Sequence, residues 1–454
     1  MNRLFSFVFT FACLAIWSIN SERAYVHDKL VRLEPITDEH IHYLQALEET
    51  TSLDFWTEIM APNRSVDVRI RANEYDQYVS QFKQYSLPYE IIVNDIQEVI
   101  DNEEKELAQD RLMRQIQSRW LGEAEPRIVG TYATYKQIET YLDEKAAADP
   151  QHIKVLDIGK TYEGRSIKVI SIKMNPASTR NIWIDCGIHA REWITPATCI
   201  WLIEEFIKEY NNNDPIIRQI LDKWTVYVAP SLNPDGYEYS QTSGNRLWRK
   251  NRFPTNALCN GVDLNRNYPW KWNTGGASTS ACSETYCGRS AGSEIETQNV
   301  VKFLESLKGT WDMYMSFHAY GQWWLALGTC ICHFMPMVNG GCNTPYGYTT
   351  GLPKDYQKQL ATAQAGANAL TAVRGTKYAV GSISGLLYIA SGSTCDWAYD
   401  SLGIKHSYTI ELPPTQQQSN IGFVLPVSEA PAVCRETYVG MKEFLRKVHE
   451  DTAQ

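Results

Sequence analysis

RNIWIDCGIHAREWITPATCIWLIEEF, from Arg180 to Phe206, contains the elements on which the fold turns. The run NIWIDCG is β-branched and aromatic, as a buried strand should be, and the stretch from Pro196 to Tyr210 is apolar enough to be a packed helix. Only a short polar turn separates the two. A strand that feeds a helix in this way is the repeating unit of an α/β sheet, and such sheets collect functional residues beyond the carboxyl ends of their strands. His189, Arg191 and Glu192 fall there, in a chain with only 9 histidines.

Moving outward, the runs IKVIS, WTVYVAPSLN, WDMYMSFHAY and KHSYTIEL alternate with helix-like stretches at Glu294–Lys308, Tyr356–Val373 and Glu436–Glu450. From about Thr131 onward this predicts one large α/β domain, a central mixed sheet flanked by helices. The region before it is smaller. YVHDKLVRL, a helix-like run at Ile41–Glu49, SVDVRI, a helix at Glu74–Tyr85 and YEIIVNDI predict a small α+β open sandwich with helices on one side of its sheet. QEVIDNEEKELAQDRLMRQIQSRW joins the two regions and reads as a solvated linker helix, its apolar residues at Val99, Ile100, Leu107, Leu112, Met113 and Ile116. Its basic residues, Arg111, Arg114 and Arg119, followed by Arg127, are candidate cuts for a trypsin-like protease.

At the start of the chain, Leu4–Trp17 is apolar over about 14 residues, too short to span a membrane and right for the core of a signal peptide. Export is expected, with residues 1–21 as the leader and no membrane anchor. Of 11 cysteines, Cys13 lies in the leader, and the remaining ten suit disulfide bonding outside the cell. A net charge of -9 excludes a nucleic-acid partner, which needs concentrated positive charge. Asn63-Arg64-Ser65 is an N-glycosylation sequon. RIVGTY, from Arg127, has the form of the new N-terminus of an activated chymotrypsin-like protease, but Gly-Asp-Ser-Gly-Gly is absent.

His189 and Glu192 are three residues apart, a spacing that lets imidazole and carboxylate converge on one zinc ion. A chance His-x-x-Glu is common; its place at a strand exit is what gives this one weight. His318 in MYMSFHAYGQ and Glu411 in YTIELPP occupy the same kind of position. An apolar setting such as that of Glu411 suits a general base.

Taken in order, YEGRSIKVI, GIHAREWITPAT, SLNPDGYEYS, NRLWRK, CNGVDLNRNYPWKW, CSETYCG, SFHAY, YIASGSTCDWAYD and SYTIELP resemble the funnel-type zinc carboxypeptidases of the pancreatic and insect digestive kind. The resemblance covers nearly the whole chain. It implies one zinc ion held by His189, Glu192 and His318, with Asp263 orienting His189. It implies Glu411 as the base that takes a proton from the attacking water, and Arg249 as the group that stabilises the oxyanion. Asn265 and Arg266 would grip the substrate's terminal carboxylate, Tyr388 would close over the substrate, and Arg191 would line the approach. Ile383, Ala390, Cys395 and Thr409 would wall the pocket for the C-terminal side chain. In the family an acidic residue at the position of Cys395 selects Lys or Arg. A neutral Cys395 therefore implies an A-type preference for aromatic or aliphatic residues; a basic or acidic preference, or an inactive peptide-binding homologue, are the alternatives.

The same resemblance makes residues 22–119 an activation propeptide and 120–454 the catalytic domain of a zymogen, cut after Arg119 or Arg127 by a trypsin-like protease and expected to act on peptides as a monomer. It implies the bridges Cys259–Cys282 and Cys186–Cys199. Three departures stand out: Ala319 where a hydroxyl residue is usual, Cys395 itself, and an insertion of about 18 residues at Ala326–Thr344, a length typical of functional loops. A cysteine of that insertion is expected to bond Cys395 and narrow the pocket; His333 within it reads as an ordinary loop histidine.

Overall fold

The quoted stretch folds as a strand, Arg180–Asp185, a turn, and a helix, Ile194–Asn211. Gly187 makes that turn: its φ is +63°, and a Cβ on it would lie 3.1 Å from the Ser231 Cα, so the position requires glycine. A disulfide between Cys186 and Cys199 ties the strand's end to the helix that follows. The computed structural model of the chain describes residues 24–57, 59, 61–122, 126–326, 354–382, 390–415 and 420–453.

The N-terminal sheet has strands β1 (Lys29–Leu33), β2 (Asp54–Phe55), β3 (Val66–Ile70) and β4 (Tyr89–Val93), antiparallel in the order β2-β3-β1-β4. Side chains alternate across β1, and the two faces have different partners. Val31 and Leu33 pack with Leu44 and Phe82 of the helices Asp38–Thr50 and Tyr75–Gln84. Leu30 and Val93 join the core of the larger domain instead. The small sheet is thus covered on one side by its own helices and on the other by the rest of the chain.

The large sheet has strands β5 (Ile153–Lys160), β6 (Ser166–Ile172), β7 (Arg180–Asp185), β8 (Trp224–Ala229), β9 (Trp311–Gly321), β10 (Trp323–Ala326), β11 (Ala379–Ser382) and β12 (His406–Thr415). Their order is β11-β10-β12-β9-β7-β8-β6-β5. The central four, β12-β9-β7-β8, are parallel, and antiparallel pairings flank them, which makes the sheet mixed as expected. Helices Ile194–Asn211, Tyr356–Arg374 and Ala430–Thr452 cover one face through residues such as Phe206, Leu370 and Phe444; helices Ile295–Ser306 and Thr394–Leu402 cover the other through Val300 and Trp397. No described helix is long and apolar enough to cross a membrane.

The joining segment departs from expectation. It is a helix, Ile96–Leu121, but only its second half is a solvated linker. Ile96, Ile100 and Leu107 are buried in the main core, and Glu103 makes a two-pronged ion pair with Arg246 at 2.5 and 2.8 Å. Leu112, Met113, Ile116 and Trp120, by contrast, are exposed. Docking the first half exchanges water for the larger domain's surface, and the Arg246 guanidinium neutralises the one acid carried inside.

Candidate active site

Strands β7, β9 and β12 lie side by side and parallel, so their carboxyl ends open on one place. His189 and Glu192 come from the turn after β7, and His318 from within β9. Their ligand atoms all lie within 4.8 Å of one another, and all three residues are buried. His189 Nδ1 is 2.7 Å from Glu192 Oε1 and 3.2 Å from His318 Nδ1; His318 Nδ1 is 3.5 Å from Glu192 Oε2.

These contacts fit a cation. His189 Nε2 faces Asp263 Oδ1 at 3.1 Å, and a carboxylate only accepts, so the ring proton is on Nε2 and Nδ1 presents its lone pair. Nδ1 then meets a carboxylate oxygen with no proton between them, which is unfavourable unless a positive ion lies there. A zinc tetrahedron with bonds of about 2.0–2.1 Å has edges of about 3.4 Å, close to the separations seen. Burial alone would raise the Glu192 carboxyl's pKa; positive charge on the side of His189 and His318 is what lowers it, and a cation supplies that charge where neutral rings do not. Ala319 N–H donates to Glu192 Oε2 at 3.2 Å, so the backbone serves where the side-chain hydroxyl is missing.

Asp263 is the hub of the site. Oδ1 accepts from His189 Nε2 and from Asn265 N at 2.9 Å; Oδ2 accepts from Arg249 Nη2 at 2.8 Å and Nε at 3.2 Å. Burial would push its carboxyl up; Arg249, His189 and Arg266 together hold it well below the usual range. Arg249 Nη1 is 4.0 Å from Glu192 Oε1, which places the guanidinium at the edge of the ligand cluster. Arg266 Nε donates to Gly276 O at 2.8 Å and Nη1 to Asn265 O at 3.2 Å, locking the arginine in place. Asn265 Oδ1 accepts from Thr394 N at 3.0 Å, leaving its amide N–H groups as the donors for a ligand. Glu411 on β12 stands opposite His318 on β9, and paired residues of parallel strands face the same way.

Thr394 begins the helix that carries Cys395. Cys395 Sγ is 2.9 Å from Thr409 Oγ1 and 3.2 Å from Tyr408 O, and the thiol is free and buried. The expected bond from an insertion cysteine is therefore not made: the sulfur points inward to β12, where the Thr409 hydroxyl and a backbone carbonyl satisfy it. Cys287 and Cys434 are also free and buried, while Cys259 is bonded to Cys282. Thr409 and Ala390 are buried as well. Ile383, Tyr388 and the insertion from residue 327 onward, with Cys330, Cys332, Cys342 and His333, lie outside the described residues.

Two family models match the chain. One, "Zinc carboxypeptidase", spans residues 138–440, and the other, "Carboxypeptidase activation peptide", spans residues 31–103. The chain belongs to the zinc carboxypeptidase family. It is 34% identical to carboxypeptidase A1 of Bos taurus over 420 residues, covering 92% of this chain and 93% of that one. It is 33% identical to carboxypeptidase A2 of Mus musculus over 435 residues, 95% and 96% of the two chains. Among solved structures, carboxypeptidase A from Helicoverpa armigera matches with a TM-score of 0.80 at 25% identity, over 95% of this chain and 99% of that one. As a zinc carboxypeptidase with an activation peptide, the chain is a hydrolase made as a zymogen, and zinc is its metal.

In this carboxypeptidase the activation peptide covers the site. Arg191 Nη1 donates to Asp54 Oδ1 at 2.8 Å, and the Arg191 guanidinium lies 4.0 Å from the centre of the Phe423 ring. Ser278 donates to Glu49, and Thr285 donates to Glu48; Thr285 and Glu48 line the same cavity as Arg191. Between Leu53 and Trp56 on one side and Arg191 and Arg249 on the other, a cavity of about 20 Å³ remains, room for one water.

Reading the sequence did not single out Asp54, Glu103, Glu284, Ser316 or Asp185. Glu284 is close to Arg191, Arg249 and Lys250, and burial, reinforced by Asp54, raises its pKa. An acid inside an apolar strand, NIWID, was the available sign for Asp185, and Ser316 shares the side of β9 that carries His318. Gly288–Gly292, GRSAG, has the spacing of a serine-nucleophile elbow, but Ser290 lies in an exposed turn and not at a strand's end.

Proposed function

We propose that the protein is exported as an inactive precursor, is cut after Arg119, and then removes neutral aromatic or aliphatic residues from the C-termini of peptides. The uncharged base of the side-chain pocket, Cys395 against Thr409, carries this reading. Burial pushes the Cys395 thiol up to about 12, so it stays neutral at any working pH and offers no partner to a Lys or Arg side chain.

The roles are those that the family resemblance implies for these residues. His189, Glu192 and His318 hold the zinc. When bound, zinc polarises the scissile carbonyl and acidifies a water. Arg266 and the Asn265 amide grip the terminal carboxylate, which confines cleavage to the last residue. Glu411 takes a proton from the attacking water and returns it to the leaving amine. Arg249, held by Asp263, stabilises the charge that develops on the carbonyl oxygen. By the same resemblance, Tyr388 would close over the substrate and Ile383 would wall the side-chain pocket.

The cut after Arg119 is favoured over Arg127 by exposure. Trp120 is 89% exposed in the last turn of its helix. Ile128, after Arg127, is buried, and Arg114 donates to the carbonyls of Arg127, Val129 and Gly130 at 3.1 to 3.2 Å. Arg127 is itself exposed, but a protease must also engage the residues after the cut, and there the buried Ile128 and the carbonyls held by Arg114 stand in its way.

Peptides ending in Phe, Leu, Lys or Glu, offered before and after trypsin treatment and with or without a zinc chelator, test all of this. Release of Phe and Leu that requires trypsin and is abolished by the chelator is the expected result. Release mainly of Lys or Glu overturns the specificity while leaving the enzyme class in place.

A further inference from the structure

We propose that Ser316 and Asp185 form a hydroxyl–carboxylate relay that fixes His318 in the tautomer able to offer its Nδ1 lone pair to the metal. The proposal rests on the reading of His318 as a zinc ligand. Asp185 ends β7 and is paired with Ser316 in the parallel β7–β9 ladder, so the two side chains meet on one face of the sheet. Ser316 Oγ is 2.6 Å from Asp185 Oδ1, while Trp183 Nε1 donates to Asp185 Oδ2 at 2.7 Å. A hydroxyl has one proton, and the carboxylate takes it. Ser316 Oγ can then only accept from His318 Nε2, 3.2 Å away. That puts the ring proton on Nε2 and leaves Nδ1 bare, facing His189 Nδ1 and Glu192.

Asp185 and Ser316 are 0% exposed and His318 2%, so no bulk water can replace a lost partner. The two histidines are thereby oriented differently: His189 by direct contact with a carboxylate, His318 by a carboxylate acting through one hydroxyl. Polarity in the second arrangement can be reversed. In Asp185→Asn the Trp183 N–H still requires an oxygen, so the amide must turn its NH2 toward Ser316. The serine then accepts from the amide and donates to His318 Nε2, which moves the ring proton onto Nδ1 and sets it against the metal.

Zinc affinity of the full chain, measured by competition with a chromophoric chelator, and the side-chain ¹⁵N shifts of His318 in the metal-free protein test the relay. Ser316→Ala and Asp185→Asn should each weaken zinc binding by about 10- to 100-fold, the usual effect of losing a ligand's orienting partner. Ser316→Thr, which keeps the hydroxyl, should recover most of it. The ring proton should be on Nε2 in the unsubstituted protein and on Nδ1 in Asp185→Asn. Unchanged zinc affinity in both variants, a ring proton on Nδ1 in the unsubstituted protein, or an affinity loss that only tracks a fall in metal-free melting temperature would overturn the relay. A His318→Ala protein that binds zinc as tightly as the original would instead overturn the ligand assignment beneath it.

Discussion

Asp54 of the activation peptide accepts a 2.8 Å hydrogen bond from Arg191, two residues after the zinc-site histidine His189. Asp54 also takes Arg69 at 3.3 Å and Trp56 Nε1 at 3.2 Å. Burial opposes a charge there, but Arg191 and Arg69 hold the carboxyl below its ordinary pKa. Removing one partner of a buried pair leaves the other unpaired, a loss of about 3–5 kcal/mol. In Asp54→Ala the uncut chain should therefore leak activity, measured as C-terminal residue release under inhibitors of trypsin-like proteases. Trypsin-treated Asp54→Ala should match the treated original. An uncut variant as silent as the original would show that the remaining contacts, among them Glu103–Arg246, Glu49–Ser278 and Glu48–Thr285, keep the cap closed without Asp54.

Glu411 and His318 are paired across the β9–β12 ladder, so the proposed base is placed by the same strands that place a ligand. Glu411→Gln keeps the shape and removes the proton acceptor. The turnover number should fall by about 10²- to 10⁴-fold, with KM and zinc content unchanged. A fall confined to KM would mean that Glu411 binds substrate and does not move its proton.

Much of this was open to inspection in the sequence because it is local. The strand, turn and helix around His189 are contiguous, and β-branched runs marked β6, β7, β8, β9 and β12. The antiparallel margins were harder: β10 and β11 have four residues each, too few for a period, and β5, IKVLDIGK, is only partly buried. The helices Tyr135–Ala148 and Pro215–Lys223 went unread for a different reason, lying between the runs that carried motifs. Contacts that join distant segments could not be read from either segment. Arg246 and Glu103 are 143 residues apart, and nothing in QEVIDNEEKEL distinguishes the one acid that is buried. Cys395 failed similarly, since its neighbour Thr409 comes from the next strand.

Cys395 also gives the sharpest test of specificity. Cys395→Asp places a carboxylate where the thiol now meets Thr409, and the pocket then has a partner for a cationic side chain. Preference for peptides ending in Lys or Arg over those ending in Phe should rise by about 10²-fold in kcat/KM, a charge-assisted contact of about 3 kcal/mol. Cys395→Ile should keep the neutral preference. If both variants prefer Phe equally, Cys395 does not form the base of the pocket.

His406, at the start of β12, ties stability to pH. Its Nδ1 is 3.2 Å from Tyr408 Oη, and Nε2 is 3.8 Å from Asp451 Oδ2. Burial lowers its pKa from 6.5 to about 4, against the pull of Asp451. Between those values the unfolded chain binds a proton that the folded one refuses, so stability falls as pH drops from 6.5 toward 4. The slope approaches 1.4 kcal/mol per pH unit, about 3 kcal/mol across the window. Asp54 and Asp263, whose folded pKa values are depressed, stabilise the fold above their unfolded pKa values, and that contribution is lost only at lower pH. The two effects therefore separate. Urea unfolding midpoints at pH 7, 6, 5 and 4.5 should decline in the original protein and stay nearly level in His406→Asn, whose amide can keep the Tyr408 contact. Parallel declines in the two proteins would assign the acid sensitivity to another group, such as His449, whose pKa burial also lowers.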